Sequence, residues 1–206
     1  MILAIDTSVG VSVALHSGDE VVSEINSSAH GQQGELTAQY ISQAMHEAGV
    51  TADRITKVLV GVGPGPFTGL RVGIVSALVF AHARSIEVSG LCSLDAVGLM
   101  HSGECIVVTD ARRKELYWAK YQDGRRITNP AVNSPTDIKD QAGALPIVGP
   151  GALLYPEILS ATLIELRAAN LAQAFISGLA ELHPVVPMYL RKPDAVEPTN
   201  IKAVAQ

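Results

Sequence analysis

The sequence predicts an α/β protein built from two β-β-β-α-β-α halves, the second one reduced. Three observations carry this. An apolar strand, Ile2 to Ile5, ends in Asp6, and a later one, Cys105 to Thr109, ends in Asp110. Each acidic strand end precedes a hairpin pattern, and each half then reaches an apolar run closed by the same turn, Gly63-Pro64-Gly65 and Gly149-Pro150-Gly151. Matching order at low identity marks a duplication. The intervals, 63 − 6 = 57 residues against 149 − 110 = 39, imply that the second copy has lost material.

Taken in order, Ile2 to Ile5 reads as a strand, and Val9 to His16 alternates Val11, Val13 and Leu15 with smaller or polar residues. Ser17-Gly18-Asp19 turns the chain back through Val21 to Ile25, a hairpin signal. Leu36, Tyr40, Ile41, Ala44, Met45 and Ala48 recur at helical spacing until Gly49 stops the helix. Lys57 to Val62 is a short β-branched run of the kind covered on both faces. Leu70, Ile74, Leu78 and Ala81 then predict a helix over Phe67 to Arg84. In the second half, Glu115 to Tyr121 returns along Cys105 to Thr109 through Arg112-Arg113-Lys114, and Pro146-Ile147-Val148 leads into the second Gly-Pro-Gly turn. This order places the first half at residues 1–103 and the second at 104–206, the last residues being candidates to pack back on the first half.

The segment Gly63-Pro64-Gly65-Pro66-Phe67-Thr68-Gly69-Leu70-Arg71-Val72-Gly73 joins a strand end to a helix start, where open α/β sheets bind ligands. Glycines before a helix can aim amides at an anion, with Thr68 and Arg71 adding a hydroxyl and a charge. The spacing matches neither G-x-x-x-x-G-K-[ST] nor G-x-G-x-x-G, and Pro64 and Pro66 remove two amide donors. Local pattern therefore favours a stiff corner over a phosphate cradle.

Composition sets further bounds. With 206 residues, 48% of them hydrophobic and only 4% aromatic, the core is built from Ala, Val, Leu and Ile. A net charge of -5 and a pI near 5.6 give no global basic field for nucleic acid or an anionic membrane. Cys92 and Cys105 lack CxxC spacing and sit in apolar stretches, which points to buried thiols in a reducing, cytoplasmic setting. Met1 to Asp6 has no basic leader pattern and reads as a first strand, and no apolar run reaches the roughly 20 residues needed to span a bilayer.

Two such halves facing across a cleft are the architecture of the actin-like ATPase (ASKHA) fold, in which the first Asp and neighbouring hydroxyls meet nucleotide phosphates and a metal. Asp6, Thr7 and Ser8 are the candidates for that work, as a vestigial phosphate loop; the plainer reading is a strand end whose side chains satisfy loop amides. The matching turn, Ala111 to Glu115, has no glycine to bring amides against a phosphate.

Ile5-Asp6-Thr7-Ser8, the Gly63–Gly73 segment, Gly90-Leu91-Cys92-Ser93-Leu94-Asp95-Ala96, Asp110 to Trp118 and Pro187-Met188-Tyr189-Leu190-Arg191 together resemble the TsaB family, formerly YeaZ, in order and over nearly the whole chain. The resemblance implies a non-catalytic subunit in synthesis of threonylcarbamoyladenosine beside the tRNA anticodon. It implies binding to the larger glycoprotease-like paralogue TsaD, which transfers the threonylcarbamoyl group, with TsaE joining as an ATPase and tRNA met indirectly through the complex. It also implies a homodimer formed by the helical face of the first half, much the same face that meets TsaD. No cofactor is expected on this chain alone; ATP and a divalent metal belong to the partner subunits.

The residues bear independently on this. A metal site of the paralogous kind needs two histidines on one helical face, and His16, His30, His46, His82, His101 and His183 include no pair three or four apart. Neither catalytic nor metal residues are expected. His30 and Glu35, before the first helix, are candidate partner contacts or else a loop side chain and a first-turn acid. Arg112, Arg113 and Lys114 could touch tRNA, although charges at a hairpin tip are ordinarily solvated. The Phe67–Arg84 helix is apolar on more than one side, so it must be covered all round. The candidate interface is Leu36, Tyr40, Ile41 and Met45 from the first helix with Phe67, Leu70, Arg71, Ile74, Val75, Leu78 and Val79 from the second. The competing expectation is a self-sufficient enzyme, either an actin-like ATPase or a metallopeptidase-like protein.

Overall fold

A computed structural model describes residues 1–28 and 33–191. His30, Gly31 and Gln32 lie outside the described residues, as does the end of the second half beyond residue 191. The first half runs β1 (Ile2–Asp6), β2 (Val11–His16), β3 (Val21–Ser27), α1 (Gln33–Glu47), β4 (Lys57–Gly61), α2 (Phe67–Arg84), β5 (Glu87–Leu91) and a single turn α3 (Asp95–Gly98). The chain continues through β6 (Glu104–Asp110), β7 (Leu116–Gln122), β8 (Arg125–Arg126), β9 (Ala131–Asn133), α4 (Pro135–Ala142), β10 (Ile147–Val148), β11 (Ala161–Thr162), α5 (Ala168–Ile176) and β12 (Leu182–His183), of which α5 and β12 join the layers of the first sheet.

Two mixed sheets result. The first has strand order β12-β5-β4-β1-β2-β3, with β1, β4 and β5 parallel and the hairpin partners antiparallel. The second has order β11-β10-β6-β7-β8, with β9 also on β7. Because side chains alternate across a strand, β1 and β4 feed two cores. Leu3, Ile5, Val58 and Val60 meet α1 and α2 on one face, while Ala4 and Leu59 meet α5 on the other. The small residues Ala168, Ala169 and Ala172 let α5 come close to Ala4 and Ala14. Its first amides are held by the first half, since Ala168 N–H donates to Ser12 Oγ at 2.7 Å and Ala169 N–H to Glu24 at 3.3 Å.

The second sheet is likewise covered on both faces. Ile106, Val108, Leu116 and Trp118 pack on Ile138 and Ala142 of α4, and Cys105, Val107, Ala119 and Tyr121 pack on Leu94 and Val97 around α3. The turn α3 is thus the wedge between the sheets. The second Gly-Pro-Gly corner does not launch a full helix; it leads into a 3-10 stretch, Pro150–Leu154. The second half is reduced here and also before the corner, where the eight-residue α4 corresponds in order to the 15-residue α1. Among the described residues no helix is long and apolar enough to cross a membrane.

Candidate functional site

The strand end Asp6-Thr7-Ser8 is buried and engaged from within. Ser8 donates both its amide, at 2.8 Å, and its hydroxyl, at 2.6 Å, to Asp6 Oδ1. Thr7 Oγ1 donates to the Gly69 carbonyl at 2.8 Å. Asp6 is 1% exposed, and burial pushes its carboxyl above the usual carboxylate range although Ser8 and Ser93 hydroxyls pull it back. The glycines of the corner explain the burial. A β-carbon on Gly61 would collide with the Asp6 carboxyl and Ser93, one on Gly65 would stand 2.8 Å from Ser8 Cβ, one on Gly69 2.6 Å from the Thr7 carbonyl oxygen, and one on Gly73 would strike the Thr7 hydroxyl. Glycine every fourth residue lets the strand and α2 close directly over the Asp6–Ser8 segment. Gly63 itself adopts φ +112, open to glycine alone at low cost, and Leu70 fills the space beside it.

The Thr7 and Ser8 hydroxyls are committed to Gly69 and Asp6, and the carboxyl lies under the corner with its Oδ2 oxygen buried and without a hydrogen-bond partner. A cleft of about 370 Å³ does run beside Asp6, between Val9–Ser12 and Asn26–Ser28 on one wall and Pro150 and Leu163–Arg167 on the other. Arg167, on one wall, pairs with Glu24 at 3.2 Å and Glu165 at 2.6 Å. Among the described residues no three His, Cys, Asp or Glu side chains gather as a metal site would require.

The β6–β7 turn takes an unusual form. Arg112, Arg113 and Lys114 have φ of 59, 54 and 61, three successive left-handed residues, each costing about 1–2 kcal/mol for a non-glycine side chain. The turn is pinned at both ends. Arg112 N–H donates to Asp110 at 2.7 Å and its guanidinium pairs with the same carboxylate at 3.0 Å, while Ala111 N–H and Glu115 N–H donate to the Glu115 and Arg112 carbonyls. Arg191 adds a bond to the Ala111 carbonyl at 2.9 Å and an ion pair with Glu115.

Arg191 belongs to Pro187–Arg191, a strap that ties the two halves together. Met188 N–H donates to the Val62 carbonyl at 2.7 Å. Tyr189 stacks on Phe67 with ring centroids 4.7 Å apart, and its hydroxyl accepts from Arg71 Nε at 2.9 Å. The Arg71 guanidinium in turn lies 3.7 Å over the Phe67 ring. Phe67 and Arg71, expected at the interface, are exposed but committed in part to this strap.

The face formed by α1 and α2 carries a second concavity, a groove of about 460 Å³ lined by Ala38, Ile41, Ser42 and Met45 on α1 and by Val75, Ser76, Val79, Phe80 and Ala83 on α2. Val75 is 55% exposed, Val79 62% and Leu78 41%. Three of the expected interface residues are instead core: Leu70 is fully buried, Ile74 and Ile41 nearly so. The reason is helical phase. Rows at i, i+4 and i+8 drift around the helix, so the buried stripe continues from Leu70 and Ile74 to Ala77 and Ala81, and Leu78 turns outward. Leu36, Tyr40 and Met45 are half-buried at the rim of that core. Glu35 sits exposed in the first turn of α1, and His30 lies outside the described residues.

A buried polar cluster went unnoticed in the sequence. Asp95, 2% exposed, accepts from Tyr121 at 2.7 Å and from Arg126 Nε at 3.1 Å, and Arg126 Nη2 also donates to His183 Nε2 at 2.9 Å. It pins α3, β7, β8 and β12 together. Burial raises the Asp95 carboxyl, with Arg126 opposing, and raises Tyr121 and Cys92 as well; the Cys105 thiol is pushed up to about 11. Asp95 stood in a motif, but its partners lie 26 and 31 residues away, so only the fold brings them together.

Two mixed sheets covered by helices, with the single turn α3 between them, give the actin-like fold class. Residues 17–179 match the family described as "TsaD: tRNA N6-adenosine threonylcarbamoyltransferase". An uncharacterized protein of Mycobacterium leprae is 46% identical over 154 residues, 74% of this chain and 42% of that protein. The Escherichia coli protein named "tRNA threonylcarbamoyladenosine biosynthesis protein TsaB" is 32% identical over 129 residues, 59% of this chain and 54% of that protein. The chain thus spans about half or less of the length of these two relatives. The solved structure of YeaZ from Pseudomonas aeruginosa superposes with a TM-score of 0.73 at 26% identity, covering 92% of this chain and 99% of that one. The chain belongs to the TsaB/YeaZ family.

Proposed function

We propose that this chain is a non-catalytic interaction subunit in the biosynthesis of threonylcarbamoyladenosine in tRNA. It binds and activates a TsaD-type transferase, together with TsaE, and meets tRNA through that complex. The observation that carries the reading is the exposed apolar face of α2, where Val75 and Val79 line the groove against α1 and Leu78 is exposed beside them. Apolar side chains clustered this way on a soluble surface mark a protein contact. The same face serves a homodimer when the transferase is absent, in the cytoplasm. ATP and the divalent metal are handled by the partner subunits, in keeping with the committed hydroxyls of Thr7 and Ser8. The family resemblance supports the pathway, and the engagement of the Thr7 and Ser8 hydroxyls with Gly69 and Asp6 speaks against a free-standing ATPase or peptidase.

The test is reconstitution of tRNA modification with TsaD, TsaE and an enzyme that makes the threonylcarbamoyl donor, with and without this chain. Modification should depend on it; equal modification without it overturns the reading. Val79→Glu should weaken association in sedimentation while leaving the melting temperature within a few degrees, since the side chain touches little of its own core. An unchanged sedimentation profile moves the interface elsewhere.

A further inference from the structure

The chain carries a net charge of -5, yet its cations are not evenly spread. Arg112, Arg113 and Lys114 stand exposed at the left-handed turn, and the strap sets Arg191 against its base. Through Tyr189 the same strap reaches Arg71, the fifth residue of α2. Five cations are gathered in this way on an acidic protein, with Asp110 and Glu115 paired into the ridge through Arg112 and Arg191.

The backbone adds a second argument. A three-residue left-handed turn is least strained with Gly, Asn or Asp, and none of these is present. Long cations occupy all three positions, so the turn retains strain while presenting charge. Strain held by surrounding bonds, here from Asp110, Glu115 and Arg191, is the pattern of a binding element. Position is the third argument. Arg71 shares its exposed helical stripe with Val75 and Leu78, four and seven residues on, so the ridge is continuous with the apolar docking face.

We infer that the ridge from Arg71 through Arg191 to Arg112–Lys114 is a contact for the phosphate backbone of RNA, placed so that tRNA held by the complex runs along this subunit. This rests on the reading above that the chain works in a tRNA-modifying assembly. Phosphate contacts of this kind position rather than read sequence, and they show in the salt dependence of binding.

The test uses the full chain with the double substitution Arg113→Asn and Lys114→Gly, which removes two charges and relieves the backbone. Fluorescein-labelled unmodified tRNA is titrated with the chain alone and with the chain plus its TsaD-type partner, at several salt concentrations, and assembly is followed by sedimentation. The double variant should melt within a few degrees of the parent and bind tRNA about tenfold more weakly, with the slope of log K against log salt shallower by about 2. Arg113→Lys should retain binding. Equal affinity and slope in an assembled complex overturn the ridge and leave the function proposed above standing. Loss of assembly with unchanged RNA binding also overturns it, and assigns the turn to an acidic protein surface. If the chain fails to pair with the transferase but its own RNA binding still depends on the two residues, the ridge stands and the subunit reading falls.

Discussion

The two halves use the same corner to opposite ends. Gly63 has φ +112 and Gly149 φ +116, and both sit after a strand parallel to the one that ends in the acidic residue. Each corner is filled by a buried leucine: Leu70 beside Gly63 and Gly65, Leu116 beside Gly151. Beyond that point they diverge. The first corner launches the 18-residue α2, whose outer face is left apolar; the second leads into a five-residue 3-10 stretch. The strand ends diverge as well, since Asp6 is shut beneath glycines while Asp110 reaches the surface and pairs with Arg112. A corner of this type is a device for ending a strand, and its use is decided by the length and surface of the helix it launches.

The largest effect that can break this comparison lies at the paired leucines. Leu70→Ala and Leu116→Ala should each cost about 3 kcal/mol, lowering the melting temperature by roughly 6–12 °C. Leu70→Ala should in addition weaken partner association, because it loosens the helix that carries the docking face, and Leu116→Ala should not. Equal loss of association from both would erase the distinction between the halves. Next come the glycines. In Gly69→Ala the new carbon meets the Thr7 carbonyl, and in Gly151→Ala the Thr109 backbone at 2.7 Å, so each should cost about 1–3 kcal/mol in a denaturant melt. A silent Gly151→Ala would show that the second corner has room the first lacks.

The smallest effect concerns the strand ends. Burial holds the Asp6 carboxyl above its unfolded value, so the native state keeps its proton longer than the unfolded chain does. That contribution is fully present below about pH 4 and is lost as pH rises through the raised native value. Asp6→Asn carries no such penalty and keeps an oxygen for Ser8. Its melting temperature relative to the parent should therefore climb from about pH 4 upward and then level off. Asp110→Asn removes a partly exposed ion pair but keeps an oxygen for the Arg112 amide, and should change stability by less than about 1 kcal/mol. A pH-independent Asp6→Asn difference would mean that the carboxyl is solvated after all.

Much of this fold was legible in the sequence. The helix Phe67–Arg84 and the strands flanking Asp6 and Asp110 follow from local periodicity and from turn residues a few positions away. The candidate interface was legible only in part. Val75 and Val79 are on the surface as expected, but Leu70, Ile41 and Ile74 are core, because a helix apolar all round does not announce which stripe its own sheet will cover. The strap residues stood out as a motif without a role, since Tyr189 meets Arg71 across 118 residues of chain and Arg191 meets Ala111 across 80. The left-handed trio had no signal at all: Arg-Arg-Lys is an unusual choice for that conformation, and the bonds that hold it come from outside the turn.

The sequence by itself determined the elements, the duplicated order and the glycine-proline corners, because hydrogen bonding within helices and turns and the alternation of strand side chains act between near neighbours. Only the tertiary structure decided which apolar stripe of α2 was left uncovered, that Asp6 would be sealed, and that the strap would bring Tyr189 to Arg71 and Arg191 to the β6–β7 turn. Those outcomes depend on layers contributed from afar: α5, from the far end of the chain, covers the opposite face of β1, and the strap returns later still to bind both halves. Burial and charge proximity are set by that distant packing.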